Sequence, residues 1–164
     1  MNIRHATPED LPDLRELRNW YIANSNATFD VAPLSAEAMQ AWFSQFGRGP
    51  HRLLVAEQAG GLLGYCSSQR YRAHPAFDTT VETSIYAHPQ AARRGVGSAL
   101  YQALFEGLAG QGLHRAVVGI ALPNAASLRL HEKFGFRPVG VFSEYATEHG
   151  QFISSQWLER GLSA

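Results

Sequence analysis

The chain is short of cysteine, of net charge and of long apolar runs, and each shortage excludes a class of protein. The single cysteine, Cys66, excludes an internal disulfide and favours a reducing compartment. Lysine plus arginine and aspartate plus glutamate both number 14, so no general nucleic-acid or membrane surface is predicted. No apolar run is long enough to span a bilayer, and the first residues, MNIRHATPED, lack an apolar signal segment. We therefore expect a cytoplasmic protein with neither a nucleic-acid nor a membrane partner.

The chain does have enough apolar residues for one core, since they make up 45% of its 164 residues. Its length predicts one domain over residues 1–164. Alternating and helical patterns predict elements in the order β-α-α-β-β-β-α-β-α-β-β. This order indicates a mixed α/β (α+β) fold in which helices flank a central sheet. The predicted strands cover residues 3–6, 52–57, 62–71, 80–87, 116–122, 136–145 and 152–157, and the second helix runs from 35 to about 46.

The stretch around which the chain is organised runs from residue 79 to residue 108. Residues 80–87 alternate and are rich in β-branched residues and tyrosine, which predicts a strand with Val81 and Glu82 on opposite faces. The turn RRGVGS follows at 93–98, and apolar residues then recur at helical spacing as far as Leu108. A basic, glycine-rich turn between a strand and a helix suits a phosphate, because the first helical N–H groups lack intrahelical partners.

A turn of this kind can also be a tight connection and nothing more. The chain has no GxxxxGK[ST], which excludes a P-loop, and no GxGxxG, so a dinucleotide fingerprint is unsupported. The remaining hypothesis is a short pyrophosphate cradle with Arg93 and Arg94 at its mouth.

Glu82 is a candidate general base, because it is a carboxylate in the middle of the strand predicted to be central. Burial of an unpaired carboxylate raises its pKa toward the range that is useful for proton abstraction. The alternative is that Glu82 faces solvent or pairs with an arginine such as Arg70 or Arg72.

Asn124 and His131 are seven residues apart on one predicted helix and therefore share a face. Asn124 also suits the N-cap of that helix, which is its structural alternative. An imidazole at position 131 can exchange protons near neutral pH, or it can be held by hydrogen bonds within the helix packing.

Arg72 and the loop with His74 and Phe77 come just before the central strand. An arginine there can clamp the carboxylate of an amino acid through two hydrogen bonds, although it can also be a solvated side chain. Phe29, in the early loop, is either an apolar wall of the same site or a core residue. No His, Cys or acidic residues have metal-ligand spacing, so we predict no metal.

Three features of the sequence together resemble the GNAT N-acetyltransferases, and the resemblance spans nearly the whole chain. They are the order of the predicted elements, the turn at 93–98, and the segment from Leu122-Pro123-Asn124 to Gly135-Phe136. Thr28-Phe29, Thr80-Val81-Glu82 and Leu130-His131-Glu132 look more like the phosphinothricin acetyltransferase branch, which includes enzymes that act on methionine sulfoximine and methionine sulfone.

The resemblance implies acetyl-CoA as cosubstrate and a definite way of holding it. The backbone amides that would wrap its pyrophosphate belong to Arg93, Arg94, Gly95, Val96, Gly97 and Ser98. Ile85, Tyr86 and Ala87 would pair with the pantetheine like an added strand, and Asn124 would bond the pantetheine or a water near the sulfur. His131 stands where many members carry a tyrosine that protonates the departing thiolate. The acetyl group would lie where the central strand splays from residues 116–122.

The resemblance also implies direct transfer, in which an amine attacks the thioester within a ternary complex and Glu82 assists, directly or through a water. The expected acceptor is a small amino acid with an oxygen-rich side chain, bound by Phe29, Arg72, His74, Phe77 and Glu82. The rival functions are acetylation of a protein N-terminus or a polyamine, and a non-catalytic acyl-CoA sensor. Members of the branch are commonly homodimers, which is the expectation here.

The chain departs from the family pattern at three positions. It has Ala92 where a glutamine or arginine is usual, and Phe152 and Ser154 where many members of the branch carry tryptophan and aspartate. The first departure affects one phosphate contact, and the other two bear on the acceptor pocket or a dimer contact.

Overall fold

The computed structural model describes residues 1–163, and it confirms the predicted order of elements. The strands are β1 (Asn2–His5), β2 (Arg52–Gln58), β3 (Gly61–Arg70), β4 (Thr80–Ala87), β5 (Arg115–Ala121), β6 (Arg137–Glu148) and β7 (Gln151–Gly161). The helices are α1 (Leu11–Asn24), α2 (Ala36–Phe43), α3 (Val96–Leu108) and α4 (Ala125–Lys133), with short 3-10 turns at Pro8–Asp10, Pro75–Phe77 and Pro89–Ala91.

Within the described residues the strands form one mixed sheet, in the order β1-β2-β3-β4-β5-β7-β6. Neighbouring strands are antiparallel except for β4 and β5, which are parallel. The parallel pair needs a long crossover, and α3 supplies it. The predicted α/β fold with a mixed central sheet is therefore confirmed.

The sheet has an apolar core on each face, because successive side chains of a strand point to opposite sides. Leu54 of β2 packs into a core with α3, where Leu100 and Leu104 are fully buried. The next residue, Val55, packs into the other core, against α1 and α2. Both faces are thus covered near β2, β3 and β4, which holds β4 between two layers of helix.

The predicted ends of α2, β6 and β7 differ from the structure by three or more residues. The helix α2 ends at Phe43, not near 46, because the chain already bends toward β2 and Gly47 N–H donates to the His51 carbonyl at 2.8 Å. The strand β6 extends to Glu148, since its pairing with β7 continues across register shifts between Phe142 and Ala146 as far as the turn at His149-Gly150. The strand β7 extends to Gly161, because its C-terminal end pairs with β5 as far as Arg115. Bulges of this kind interrupt the alternation from which strands are predicted.

The parallel ladder between β4 and β5 is short. It joins Thr80 to Arg115, Val81 to Ala116 and Glu82 to Val117, and then it stops. In contrast, β4 pairs with β3 as far as Ala87, and β5 pairs with β7 as far as Ala121. The two strands therefore diverge after Glu82 and leave a wedge-shaped gap in the middle of the sheet.

Gly64 of β3 is required by the close approach of β4 and α3 on one side of this gap. A Cβ at this position would lie 2.6 Å from the Tyr86 carbonyl oxygen and 3.1 Å from Val96 Cγ1. We expect Gly64→Ala to lower the free energy of unfolding by about 1–3 kcal/mol, the usual cost of overpacking, as measured by urea denaturation. Gly140→Ala is the control, because a Cβ there meets nothing within 4 Å. Equal stability of the two variants would contradict the close approach.

Candidate active site

Backbone polar groups of β4 face the gap between β4 and β5. His88 N–H donates to the Leu63 carbonyl of β3 at 2.7 Å, whereas the Thr79 carbonyl accepts from His114 N–H, on the β5 side, at 2.8 Å. Backbone groups alternate along a strand, so the N–H and C=O groups of Thr83, Ile85 and Ala87 point into the gap. The ladder with β5 ends at Glu82, so the Ile85 N–H and C=O have no strand partner on that side among residues 1–163, and an extended ligand can pair with them. The Ala87 carbonyl already accepts from the Tyr21 hydroxyl at 2.6 Å.

A cavity of about 520 Å³ occupies this gap and extends to the N-terminus of α3. It contains the predicted cofactor residues except Arg94, namely Ile85, Tyr86, Ala87, Arg93, Gly95, Val96, Gly97, Ser98 and Asn124. The Arg94 side chain instead donates from Nη2 to Gln58 Oε1 at 3.0 Å. The structure thus brings the predicted strand, turn and helix residues around one elongated cavity.

The turn before α3 has the backbone of an anion cradle. Arg93 and Gly95 both have positive φ, 65° and 75°, which turns the chain so that α3 starts at Val96. Within the described chain no side chain caps this helix, so its first N–H groups are open to a ligand. The Lys133 ammonium lies 2.9 Å from Ser98 Oγ and adds a positive charge at this end of the cavity. Ala92 lines the same cavity beside Arg93.

Asn124 and His131, both lining the cavity, are held by α4 itself. Asn124 Oδ1 accepts from Ser127 N–H at 3.2 Å, so its capping role is realised. The His131 ring is 1% exposed, and its Nδ1 lies 2.7 Å from the Ser127 carbonyl oxygen. Burial lowers the pKa of His131, and a carbonyl only accepts, so the neutral ring carries its proton on Nδ1. Its Nε2 then accepts from the Tyr101 hydroxyl at 2.7 Å.

A second cavity, of about 280 Å³, lies on the α1–α2 face of the sheet. Glu82 and Phe29, two of the five predicted acceptor residues, both line it. Tyr21, Ser84 and Tyr86 line this cavity and the larger one, so the two cavities meet at β4. We call the smaller one the acceptor cavity and the larger one the cofactor cavity, after the predicted site residues that line each of them.

The Glu82 carboxyl has a raised pKa, and the main cause is burial. The side-chain amide of Gln69, its cross-strand partner, and the charge of Arg72 partly offset this effect. A carboxylate that is costly to keep ionised and that faces a cavity is suited to take a proton from a bound amine.

Arg72, His74 and Phe77, the other predicted acceptor residues, do not line the acceptor cavity. The Arg72 guanidinium lies over the Tyr71 ring, with 4.8 Å from Cζ to the centroid. Phe77 packs edge-on against the same ring, and His74 is exposed before the turn Pro75–Phe77. A substrate role for these three residues stays a prediction, and only the effect of Arg72 on the pKa of Glu82 links them to the site.

Several residues of the acceptor cavity were not predicted from the sequence: Arg18, Asp30, Trp42, Tyr65 and Gln69. Arg18 had one detectable signal. It lies four residues after Leu14 and three before Tyr21, so it shares the buried stripe of α1. A charged residue on an apolar helix stripe is uncommon enough to mark a site.

The two departures near the C-terminus lie on β7. Phe152 is 70% exposed, and Ser154 Oγ accepts from the Glu144 N–H at 2.8 Å. Residues 1–163 contain no group of three or more His, Cys, Asp or Glu side chains placed to hold a metal ion. Among the same residues, no helix combines the length and the apolar character that a membrane span requires.

Comparison with known proteins gives consistent matches over nearly the whole chain. The model of the acetyltransferase (GNAT) family matches residues 14–136. A phosphinothricin N-acetyltransferase of Streptomyces coelicolor is 45% identical over 99% of this chain and 96% of its own length. An L-methionine sulfoximine/L-methionine sulfone acetyltransferase of Pseudomonas paraeruginosa is 34% identical over 98% of this chain and 94% of its own.

A similar solved structure is that of a GNAT superfamily phosphinothricin acetyltransferase from Sinorhizobium meliloti in complex with acetyl-CoA. It aligns with a TM-score of 0.93 at 27% identity, over 99% of this chain and 88% of that one. The seven-stranded sheet described for residues 1–163 is therefore an arrangement that this group of proteins shares.

The raised pKa of Glu82 makes a prediction for stability against pH. The folded protein holds the Glu82 proton more tightly than the unfolded chain, so this carboxyl costs stability as pH rises from 4.5 through the raised value. We expect the free energy of unfolding of the wild type, relative to Glu82→Gln, to fall over that interval. Urea denaturation across a pH series measures it, with Glu132→Gln on the exposed side of α4 as the control substitution. A difference that rises with pH would contradict a raised pKa.

Proposed function

The chain belongs to the GNAT acetyltransferase family, and from this we propose that it transfers the acetyl group of acetyl-CoA to the amino group of a small amino acid. We also propose that residues 1–164 form one N-acetyltransferase domain. The observation that carries the proposal is the meeting of two cavities at β4. Tyr21, Ser84 and Tyr86 line both of them, and Glu82 lines the smaller one beside this junction. A thioester in one cavity and an amine in the other would face each other there.

The proposed transfer is a direct attack in a ternary complex. The amine of the acceptor attacks the thioester carbonyl, and Glu82 accepts the amine proton, directly or through a water. Of the backbone between Ser84 and Tyr86, the N–H of Ile85 faces the gap, and it would stabilise the negative charge that develops on the carbonyl oxygen. The lone thiol, Cys66, is buried, and its burial raises its pKa, so an acyl-cysteine route is disfavoured.

His131 is our proposed proton donor to the departing thiolate, although its hydrogen bonds and its burial limit how much it can contribute to the rate. Its Nδ1–H is held by the Ser127 carbonyl, and its Nε2 accepts from Tyr101. The ring must gain a proton before it can act as an acid, and burial opposes that. We therefore expect substitution of His131 to reduce kcat less than substitution of Glu82.

The proposed acceptors are amino acids of the phosphinothricin, methionine sulfoximine or methionine sulfone type. The names of the similar proteins support this class, and so does the acceptor cavity, whose volume of about 280 Å³ suits a small molecule. Its charged residues include a cation, Arg18, which would repel the positive charges of a polyamine. A protein N-terminus remains the alternative acceptor of the same chemistry, and a non-catalytic acyl-CoA sensor is the alternative of another class.

Release of CoA from acetyl-CoA measures the function directly. The acceptors to compare are phosphinothricin, methionine sulfoximine, methionine sulfone, spermidine and a peptide amine. We expect turnover with the amino-acid analogues, and Glu82→Gln should lower kcat by about 100-fold or more while the KM for acetyl-CoA stays unchanged. Glu132→Gln is the matched control and should behave as wild type. Turnover with the peptide or spermidine alone would reject the acceptor class, and binding of acetyl-CoA without any turnover would favour the sensor.

We propose a cytoplasmic homodimer as the working form, on the basis of the resemblance and of one exposed surface. Exposed apolar side chains follow the edge strand β6 and its partner β7: Val139, Val141, Phe142, Tyr145 and Phe152. An edge strand with such a row of side chains is a favourable place for a second copy of the chain to pair. Burial of the free Cys66 thiol is compatible with a reducing cytoplasm.

Sedimentation equilibrium tests the dimer. We expect the wild type to sediment as a dimer and Phe152→Ser to raise the dimer dissociation constant at least tenfold, because the most exposed of these apolar side chains is lost. Trp20→Ser, which removes an exposed aromatic side chain from α1, is the control and should leave the dimer intact. A monomeric wild type would contradict the proposal.

A further inference from the structure

Arg18 places a guanidinium group in the acceptor cavity, on the face of α1 that packs toward the sheet. Its side chain is 17% exposed, so water screens its charge only in part. Burying an arginine on a helix stripe is costly unless the charge is compensated. Asp30 supplies that compensation through an ion pair at 3.1 Å, which keeps the charged group at the cavity wall.

The guanidinium is held in place from three directions. Its Nη2 donates to Asp30 Oδ2 at 3.1 Å, and its Nη1 lies 3.7 Å from Met39 Sδ. Its Cζ lies 4.4 Å from the centroid of the Trp42 ring, in cation–π contact. These contacts use two of the five N–H donors of a guanidinium, so the group is oriented while part of its donor set can still bind a ligand in the cavity.

Arg18 is also close to the reacting end of the cavity. Burial raises the pKa of the Tyr86 hydroxyl to about 12, and the positive charge of Arg18 opposes part of this rise. Tyr86 is one of the three residues that line both cavities. An anion bound by Arg18 would therefore lie near the junction where the amine must meet the thioester.

The charges of the acceptor cavity match a zwitterion. Among its lining residues, Arg18 is the one cation, and Asp30 and Glu82 are the carboxyl groups. The amino and carboxylate groups of an amino acid are attached to the same carbon, so both fit a cavity of this size at once. Arg72 is less well placed, because it lies outside the cavity over Tyr71.

We propose that Arg18 binds the carboxylate of the acceptor and thereby makes the enzyme select amino acids over simple amines. The inference rests on the proposed function, since it assigns a group of the same acceptor. A guanidinium binds a carboxylate through two parallel hydrogen bonds, which also fixes the direction of the amine. Arg18 thus acts as a specificity-determining residue, and Asp30 and Trp42 position it.

The experiment compares two acceptors that differ only in the carboxylate: methionine sulfone and its decarboxylated amine. CoA release is measured with the wild type, Arg18→Ala, Arg18→Lys and Arg72→Ala. We expect Arg18→Ala to lower kcat/KM for methionine sulfone by about 10- to 100-fold, mainly through KM, and to change that for the decarboxylated amine less than about threefold. Arg18→Lys should recover part of the loss, and Arg72→Ala should not alter the ratio between the two acceptors.

The pair of acceptors separates binding from folding. An equal loss with both acceptors would mean that Arg18 only supports the cavity, and it would overturn the assignment. A selective loss in Arg72→Ala would transfer the role to Arg72. If Arg18→Ala does not fold, the wild-type ratio and Arg18→Lys decide: a wild type without preference for the carboxylate overturns the assignment. A wild type that acetylates no amino acid would reject the proposed function and this inference together, whereas the other failures leave the proposed function intact.

Discussion

The early end of hydrogen bonding between β4 and β5 is the constraint on which the rest of this structure depends. After Glu82 the two strands separate, although each stays paired with its other neighbour. A sheet that opens in its middle exposes backbone donors and acceptors that must find another partner. In this fold an extended ligand can supply that partner, and the acetyl end of acetyl-CoA would then lie in the plane of the sheet, between the two cores.

Contacts on both faces of the sheet fix the residues that border the gap. On one face Tyr101 is fully buried, and its hydroxyl lies 3.1 Å from Thr83 Oγ1 of β4 and 2.7 Å from His131 Nε2 of α4. This network ties β4 and α4 to α3 at fixed distances, because each buried polar group depends on its neighbours. On the other face the Tyr21 hydroxyl donates to the Ala87 carbonyl at 2.6 Å. Contacts within the chain therefore position the residues that border the site, and such preorganisation lowers the entropic cost of binding.

Much of this could be predicted because it depends on neighbours along the chain. The alternation of residues 80–87, the glycines of the turn and the helical spacing after Val96 placed the strand, the turn and the helix correctly. Glu82 was found because a carboxylate in a central strand is unusual, and its pKa is raised by burial as expected. The ends of α2, β6 and β7 were missed, since the Gly47–His51 hydrogen bond, the register shifts after Phe142 and the pairing of Gly161 with Arg115 leave no periodic signal along the chain.

The sequence by itself determined the order of elements, because local periodicity and short-range backbone rules encode it, and the resemblance of its motifs indicated the family that the comparisons show. Only the tertiary structure decided which arginine enters the acceptor cavity. Arg72, close to Glu82 in sequence, lies over Tyr71, whereas Arg18, far away in sequence, reaches the cavity from α1. The physical reason is that a side chain's surroundings depend on how the helices pack on the sheet. The packing of α1 beside α2 on one face brings Arg18 into contact with Asp30 and Trp42.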